Sequence, residues 1–169
     1  MRLFSSLAAF FIMLLPVSVL ALESVRVDDS FSSRVIGTSI EYLEDKERNM
    51  TFDRARSSAQ WIKSEKESLN FGFTPSVYWF RFSINNATGA PMNHFLDISY
   101  PLMNYLDFYI PEDDGYRIEQ TGNRYPFYNR EIEDKNFVFH LKEAPGKHTY
   151  YLRIRSEEHT SELQSRQSI

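Results

Sequence analysis

The stretch LNFGFTPSVYWFRFSINN, Leu69–Asn86, carries six aromatic residues in the twelve positions from 71 to 82, with a single arginine among them. Because side chains alternate between the two faces of a β-strand, residues 77–84 predict a strand with one wholly apolar face, made of Tyr78, Phe80, Phe82 and Ile84. The opposite face mixes apolar and polar side chains, Val77, Trp79, Arg81 and Ser83. A dry core does not bury a charge unless the charge is paired, so this second face needs its own explanation.

Two further segments repeat this two-sided pattern, residues 106–110 and residues 149–154. Their large apolar faces predict core positions at Leu106, Phe108, Ile110, Tyr150, Leu152 and Ile154. If the three strands lie in one sheet, their other faces form a single outer surface of aromatic and charged side chains. The candidate ligand-binding residues on this surface are Trp79, Arg81, Tyr105, Asp107, Tyr109, Tyr151 and Arg153.

Two interpretations of this outer surface stay open. Aromatic rings stack on the apolar faces of sugars, and planar arginine and aspartate groups bind hydroxyls or carboxylates, so the surface is a candidate ligand platform. Alternatively, the arginines lie over the aromatic rings, and cross-strand pairs merely stabilise the sheet.

The rest of the chain predicts an all-β protein. Short β-prone runs alternate with turn segments such as Asn85-Asn86, Pro111 to Gly115 and Ala144-Pro145-Gly146. One short helix is expected from Thr51 to about Ser58, with Thr51 as its N-cap. Many short strands with hairpin-length connections predict an antiparallel β-sandwich.

The two ends of the chain differ from the segment between them. Residues 1–21 predict a signal peptide: Arg2 precedes nine apolar residues, Leu7 to Leu15, which are too few to span ~30 Å of hydrocarbon before Pro16. The polar run RSEEHTSELQS, which begins at Arg155, resembles a translated sequencing adapter and breaks a strand pattern. We therefore expect one exported domain at residues 22–154, a non-native tail at 155–169, and a truncated fragment of a longer protein.

Composition excludes several classes of function. The net charge is −4, and no basic stripe or polybasic run invites nucleic acid or an anionic membrane surface. There is no cysteine, which in an exported domain suits a bacterial periplasm better than a disulfide scaffold.

The sequence contains none of the common motifs for catalysis or metal binding. The histidines are scattered singly, without the spacing of a zinc site, and no glycine-rich phosphate loop or GxSxG elbow occurs. We expect no cofactor, no metal and no catalytic residue in this fragment. Arg130 is a further candidate ligand-binding residue: it is placed to bind an anion or, alternatively, to pair with Glu131 or Asp134.

Several motifs occur in a characteristic order between Ile36 and Ile154: EYLED at 41–45, NFGFT at 70–74, YWFRF at 78–82, YPL at 100–102, LDFY at 106–109, NFVF at 136–139 and TYYLR at 149–153. Together they resemble the second type of extracellular domain in bacterial seven-transmembrane receptors with diverse intracellular signalling modules. The resemblance implies a jelly roll like that of a carbohydrate-binding module, on the periplasmic face of the inner membrane. It also implies contact with the membrane only through transmembrane helices beyond the fragment, followed by an output module such as a histidine kinase or a diguanylate cyclase.

The leading hypothesis is thus a non-enzymatic sensory ectodomain that binds a carbohydrate or a small carboxylate. A carbohydrate-binding module of a secreted glycan-active enzyme is one alternative. The other is a receptor dimerisation domain, in which the outer aromatic face contacts a second protomer as a homodimer.

Overall fold

A computed structural model of the chain describes residues 22–72 and 74–156, together with the backbone of residues 162–168. The predicted signal peptide lies outside the described residues. All the strands and strand pairs named for this fold lie within these ranges.

Twelve strands and one α-helix make up the described fold. The strands are β1 (Ser24–Val27), β2 (Ser33–Val35), β3 (Glu41–Asp45), β4 (Ile62–Lys63), β5 (Ser68–Asn70), β6 (Val77–Asn86), β7 (Met92–Ile98), β8 (Tyr105–Glu112), β9 (Gly115–Thr121), β10 (Phe137–Glu143), β11 (Gly146–Arg155) and β12 (Glu162–Ser168). The helix α1 spans Phe52–Ser57, and single 3-10 turns lie at Gly37–Ser39 and Phe127–Asn129.

The strands form two sheets. The larger sheet has the order β4-β3-β6-β11-β8-β9, with β1 also pairing to β6, and the smaller has the order β10-β7-β12-β2, with β5 pairing to β12. All the pairs are antiparallel except that of β1 with β6, which is parallel. The prediction of an all-β antiparallel sandwich with one short helix is confirmed, and the jelly-roll subclass stays a prediction.

The main core lies between the sheets and uses the apolar faces that the period of two predicts. Phe80, Phe82 and Ile84 of β6 are fully buried there. The facing strands of the smaller sheet supply fully or nearly fully buried side chains from β7 and β10, namely Leu96, Ile98, Phe137, Phe139 and Leu141. At about 25 cal/mol for each Å² of apolar surface removed from water, this burial is the main driving force for association of the sheets.

Local signals in the sequence explain where several elements begin and turn. The hydroxyl of Thr51 accepts a hydrogen bond from the backbone N–H of Arg54, which caps α1 as expected. Gly122 follows β9 with a φ of +132°, and a Cβ there would lie 2.2 Å from the carbonyl oxygen of Asn104, so only glycine fits.

The backbone of β12 lies in the smaller sheet, between β7 and β2. These residues belong to the segment 155–169, whose origin as a non-native tail stays a prediction.

Candidate functional site

The seven candidate residues of the outer surface do share one face of the larger sheet. Strands β6, β11 and β8 are neighbours, and their register places Arg153 between Trp79 and Asp107. The adjacent cross-strand row places Tyr151 between Arg81 and Tyr109. The grouping inferred from strand periodicity is therefore correct.

This surface is not, however, the open platform that the ligand interpretation assumes. Trp79, Tyr109 and Tyr151 are only 1%, 8% and 6% exposed, because α1 and the segment that follows it lie over them. The ring of Phe52 stacks on Tyr109 with centroids 4.3 Å apart and packs edge-on against Tyr151. These residues form a second, smaller apolar cluster on the outside of the sheet, and any ligand contact with them requires α1 to move.

Burial also affects the ionisation of the tyrosines in this cluster. It raises the pKa of Tyr109 and of Tyr151 above the usual phenol value, although nearby arginines partly oppose the shift. Both hydroxyls are therefore neutral hydrogen-bonding groups at physiological pH and do not act as bases.

The charged members of the surface are paired within the sheet. Glu41 of β3 lies opposite Arg81, and its carboxylate accepts hydrogen bonds from the guanidinium, with an Nη2 to Oε2 distance of 2.5 Å. Arg153 lies opposite Asp107 and donates to its carboxylate at 3.2 Å. The amide of Gln120 donates to the other oxygen of Asp107 at 2.9 Å.

Each of three arginines on this face also lies over an aromatic ring. The guanidinium carbon of Arg81 is 4.5 Å from the centroid of Trp61, and that of Arg155 is 4.0 Å from the centroid of Tyr105. Arg153 lies 5.8 Å from the centroid of Trp79. Ion pairs and cation–π contacts thus account for the mixed composition of this face, as the second interpretation proposes.

The eighth candidate, Arg130, lies elsewhere, in an open cleft of about 430 Å³ at one edge of the sandwich. The cleft runs between β9, an edge strand of the larger sheet, and β10, an edge strand of the smaller one. The turn at Phe127–Asn129 and the residues after it close one side.

Arg130 holds this turn in place. From Nη1 it donates to the backbone carbonyls of Asp134, Lys135 and Asn136 at 2.5, 3.3 and 3.2 Å. Its guanidinium carbon lies 4.8 Å from the ring centroid of Phe127 and 4.4 Å from that of Phe137. Burial among these groups lowers the pKa of Arg130 from its usual value, but a guanidinium stays charged at physiological pH. The sequence predicts that Arg130 either binds an anion or pairs with Glu131 or Asp134. In the structure its guanidinium donates to backbone carbonyls of this loop, among them the carbonyl of Asp134.

The cleft also contains side chains suited to binding a small molecule. Tyr128 is 79% exposed and presents its ring to solvent at the rim. Gln120 and Asn129 line the same cleft with amide groups. Arg117 contributes a second cation, which is paired with both Glu112 and Glu119.

Apart from Arg130, this cleft was missed in the sequence. Its walls come from β9, the 127–131 turn and β10, and only the pairing of strands brings these segments to one edge. The available signal was the adjacent Phe127 and Tyr128 in a segment without strand alternation, where no core position requires an aromatic ring.

Neither a metal-binding cluster nor a membrane-spanning helix occurs within the residues that the structure describes. No group of three or more histidine, aspartate or glutamate side chains there is arranged to hold a metal ion. Within the same residues, no helix is long and apolar enough to span a bilayer.

The chain matches the model of a known protein family. The family model described as 7TMR-DISM extracellular 2 matches residues 37–164, a range that includes both the outer aromatic face and the edge cleft. No curated protein sequence matches the chain.

Proposed function

The chain belongs to the family of 7TMR-DISM extracellular 2 domains, as its motifs predict, and from this premise we propose that the edge cleft beside Arg130 is the ligand site of a sensory ectodomain. The family consists of non-catalytic extracellular domains of seven-transmembrane receptors, so a sensory role on the periplasmic side follows from membership. The ligand class and its place of binding are inferred from the accessibility and the chemistry of the cleft.

Accessibility favours the cleft over the outer aromatic face. The cleft is open and its volume of about 430 Å³ lies within the range of roughly 300–1,000 Å³ that small-molecule sites occupy. The aromatic face, by contrast, is covered by α1, and its charges already have partners. Binding in the cleft needs no rearrangement of the fold.

The chemistry of the cleft favours a neutral polyhydroxylated ligand, such as a mono- or disaccharide, over a small carboxylate. Its two arginines, Arg117 and Arg130, are balanced by Glu119 and Glu131 in the same lining. The observation that carries the proposal is the exposed ring of Tyr128, which offers a flat apolar face beside amide and guanidinium groups.

In a receptor, a ligand changes the output only if it binds two states of the protein with different affinity. The cleft joins an edge strand of each sheet, so a ligand seated there contacts both sheets at once. A ligand that binds one arrangement of the two edges more tightly increases the population of that arrangement. The change in population is then transmitted to the membrane region of the receptor.

The test is calorimetric titration of the purified chain with a panel of mono- and disaccharides and, separately, short carboxylates. We expect at least one neutral sugar to bind, and Tyr128→Ala to weaken it by about tenfold through loss of ring stacking. Leu102→Ala, which removes a side chain 58% exposed outside the cleft, is the matched control and should leave the affinity unchanged. Equal affinity of wild type and Tyr128→Ala for the bound sugar, or binding of carboxylates alone, would overturn the proposal.

A further inference from the structure

Three polar side chains meet inside the main core, between the two sheets, with no part in the cleft. His94 of β7, Glu143 of β10 and Tyr150 of β11 are 0%, 1% and 2% exposed. His94 and Glu143 continue the inward-facing rows of their strands, where the other buried members are the apolar Leu96, Ile98, Phe137, Phe139 and Leu141. The alternation along these strands predicts apolar side chains at positions 94 and 143. A buried polar side chain there destabilises the core unless it is hydrogen-bonded.

The cluster is only partly satisfied. The hydroxyl of Tyr150 donates to Oε1 of Glu143 at 2.9 Å. Nε2 of His94 lies 3.6 Å from Oε2 of Glu143, which is close enough for charge attraction but too long for a good hydrogen bond. Among the described residues, neither ring nitrogen of His94 nor Oε2 of Glu143 has a hydrogen-bond partner.

We propose that His94, Glu143 and Tyr150 form a buried proton-binding site that makes the packing of the two sheets depend on pH. The carboxyl and the imidazole can share one proton in two ways, as two neutral groups or as an ion pair. Adding a second proton leaves a net positive charge in the core, and removing the shared proton leaves a net negative one. Either change places an unpaired charge between the sheets, which weakens their association.

Among the side chains that the structure describes, the neighbours of the cluster are uncharged. From the segment before β2, the ring of Phe31 contacts His94 edge-on. From β6, the amide of Asn86 donates to the backbone carbonyl of Glu143 at 3.1 Å. Within residues 22–72 and 74–156, no lysine or arginine shifts the pKa of His94 or of Glu143. In the described part of the chain, the titratable groups that face one another here are therefore His94, Glu143 and Tyr150.

The two titrating groups have opposite effects on stability. Burial raises the pKa of Glu143 from 4.5 to about 7, so its folded form binds more protons than its unfolded form in this interval, and stability falls as pH rises through it. Burial lowers the pKa of His94 from its usual 6.5, so the cost of charging it grows as pH falls below that value. An extracellular domain is exposed to the pH of its surroundings. This cluster lowers the stability of the domain when that pH rises, through Glu143, and when it falls, through His94.

The test follows the melting temperature of the purified chain between pH 4.5 and 8. Glu143→Gln keeps the size of the side chain and removes its charge, so its melting temperature relative to wild type should rise as pH increases from about 4.5 to 7. His94→Gln should show the reverse, a relative melting temperature that rises as pH falls below 6.5. Glu47→Gln, at an exposed carboxylate in the turn after β3, is the control for replacing a glutamate by glutamine at the surface.

A direct titration covers the case in which a variant does not fold. The carboxyl carbon of Glu143 in the wild-type chain, followed by NMR, should titrate near pH 7, whereas an exposed glutamate titrates near 4.5. A midpoint for Glu143 at the ordinary carboxyl value overturns the proposal. So does a Glu143→Gln difference that stays constant across the pH range.

Discussion

At the scale of single residues, the outer face of the larger sheet explains why Trp79 and Arg81 stand between the apolar core residues of β6. Asp107 is 8% exposed and lies between Arg153 and Gln120, both of which donate to it. A carboxylate this deeply buried is tolerated because its oxygens are hydrogen-bonded. The charged residues on this face are therefore explained by the need of each buried charge for a hydrogen-bond partner within the sheet.

Replacing Arg153 with methionine tests this explanation. The change keeps a long unbranched side chain opposite Trp79 but leaves Asp107 with one hydrogen-bond donor in place of two. We expect a loss of about 1–3 kcal/mol in the free energy of unfolding, measured by denaturant titration, because a charged hydrogen bond to a buried group is removed.

Arg117→Met is the matched control for this experiment. Arg117 also pairs with carboxylates, but its side chain is 47% exposed, so its loss should cost less than about 1 kcal/mol. A loss at Arg153 no larger than the loss at Arg117 would show that the buried pair is no stronger than a surface pair.

Strand faces could be predicted from the sequence because they depend on local geometry. The alternation in residues 77–84 fixes which side chains share a face, whatever lies beyond the strand. What covers Trp79, Tyr109 and Tyr151 could not be predicted, since Phe52 reaches them from a helix far away in sequence. The edge cleft and the His94 cluster were missed for the same reason: strand pairing brings their residues together.

At the scale of elements, α1 is a short helix whose role is to cover the outer aromatic cluster. It has only six residues, and Ala55 is its fully buried member. Trp61 donates from its indole nitrogen to the carbonyl of Ala55 at 3.1 Å and so fixes the end of the helix to the sheet. A helix this short is not stable alone, so packing of Phe52 and Ala55 holds it in place.

Phe52→Ala should therefore loosen the helix as well as remove a ring. We expect a loss of about 2 kcal/mol in the free energy of unfolding, roughly half the cost of truncating a fully buried phenylalanine, because Phe52 is half-buried. Quenching of tryptophan fluorescence by acrylamide should increase at the same time, because Trp79 loses part of its cover. Arg54→Ala, on the exposed side of α1, is the control. Unchanged quenching in Phe52→Ala would contradict the covering role.

At the scale of the whole molecule, the larger sheet separates two apolar clusters that share its strands. Tyr150 belongs to the main core between the sheets, and its neighbour Tyr151 belongs to the outer cluster under α1. The backbone of β11 therefore lies between the main core and the outer cluster. The all-β sandwich follows from strand patterns along the chain, whereas the existence of a second cluster follows from the way α1 folds back onto the sheet.

The last prediction is that the two clusters contribute independently to stability. Ile98→Val, in the main core, should cost about 1 kcal/mol, and combining it with Phe52→Ala should give a loss equal to the sum of the two single losses within about 0.5 kcal/mol. Additivity is expected because the two side chains lie on opposite sides of the larger sheet and share no contact partner in either cluster. As a control for coupling, Ile98→Val with Leu96→Val combines neighbours on one face of β7, and departures from additivity are expected there. Coupling of 1 kcal/mol or more between Phe52 and Ile98 in denaturant unfolding would mean that the sheet transmits packing changes from one cluster to the other. The outer cover and the inner core would then act as one unit.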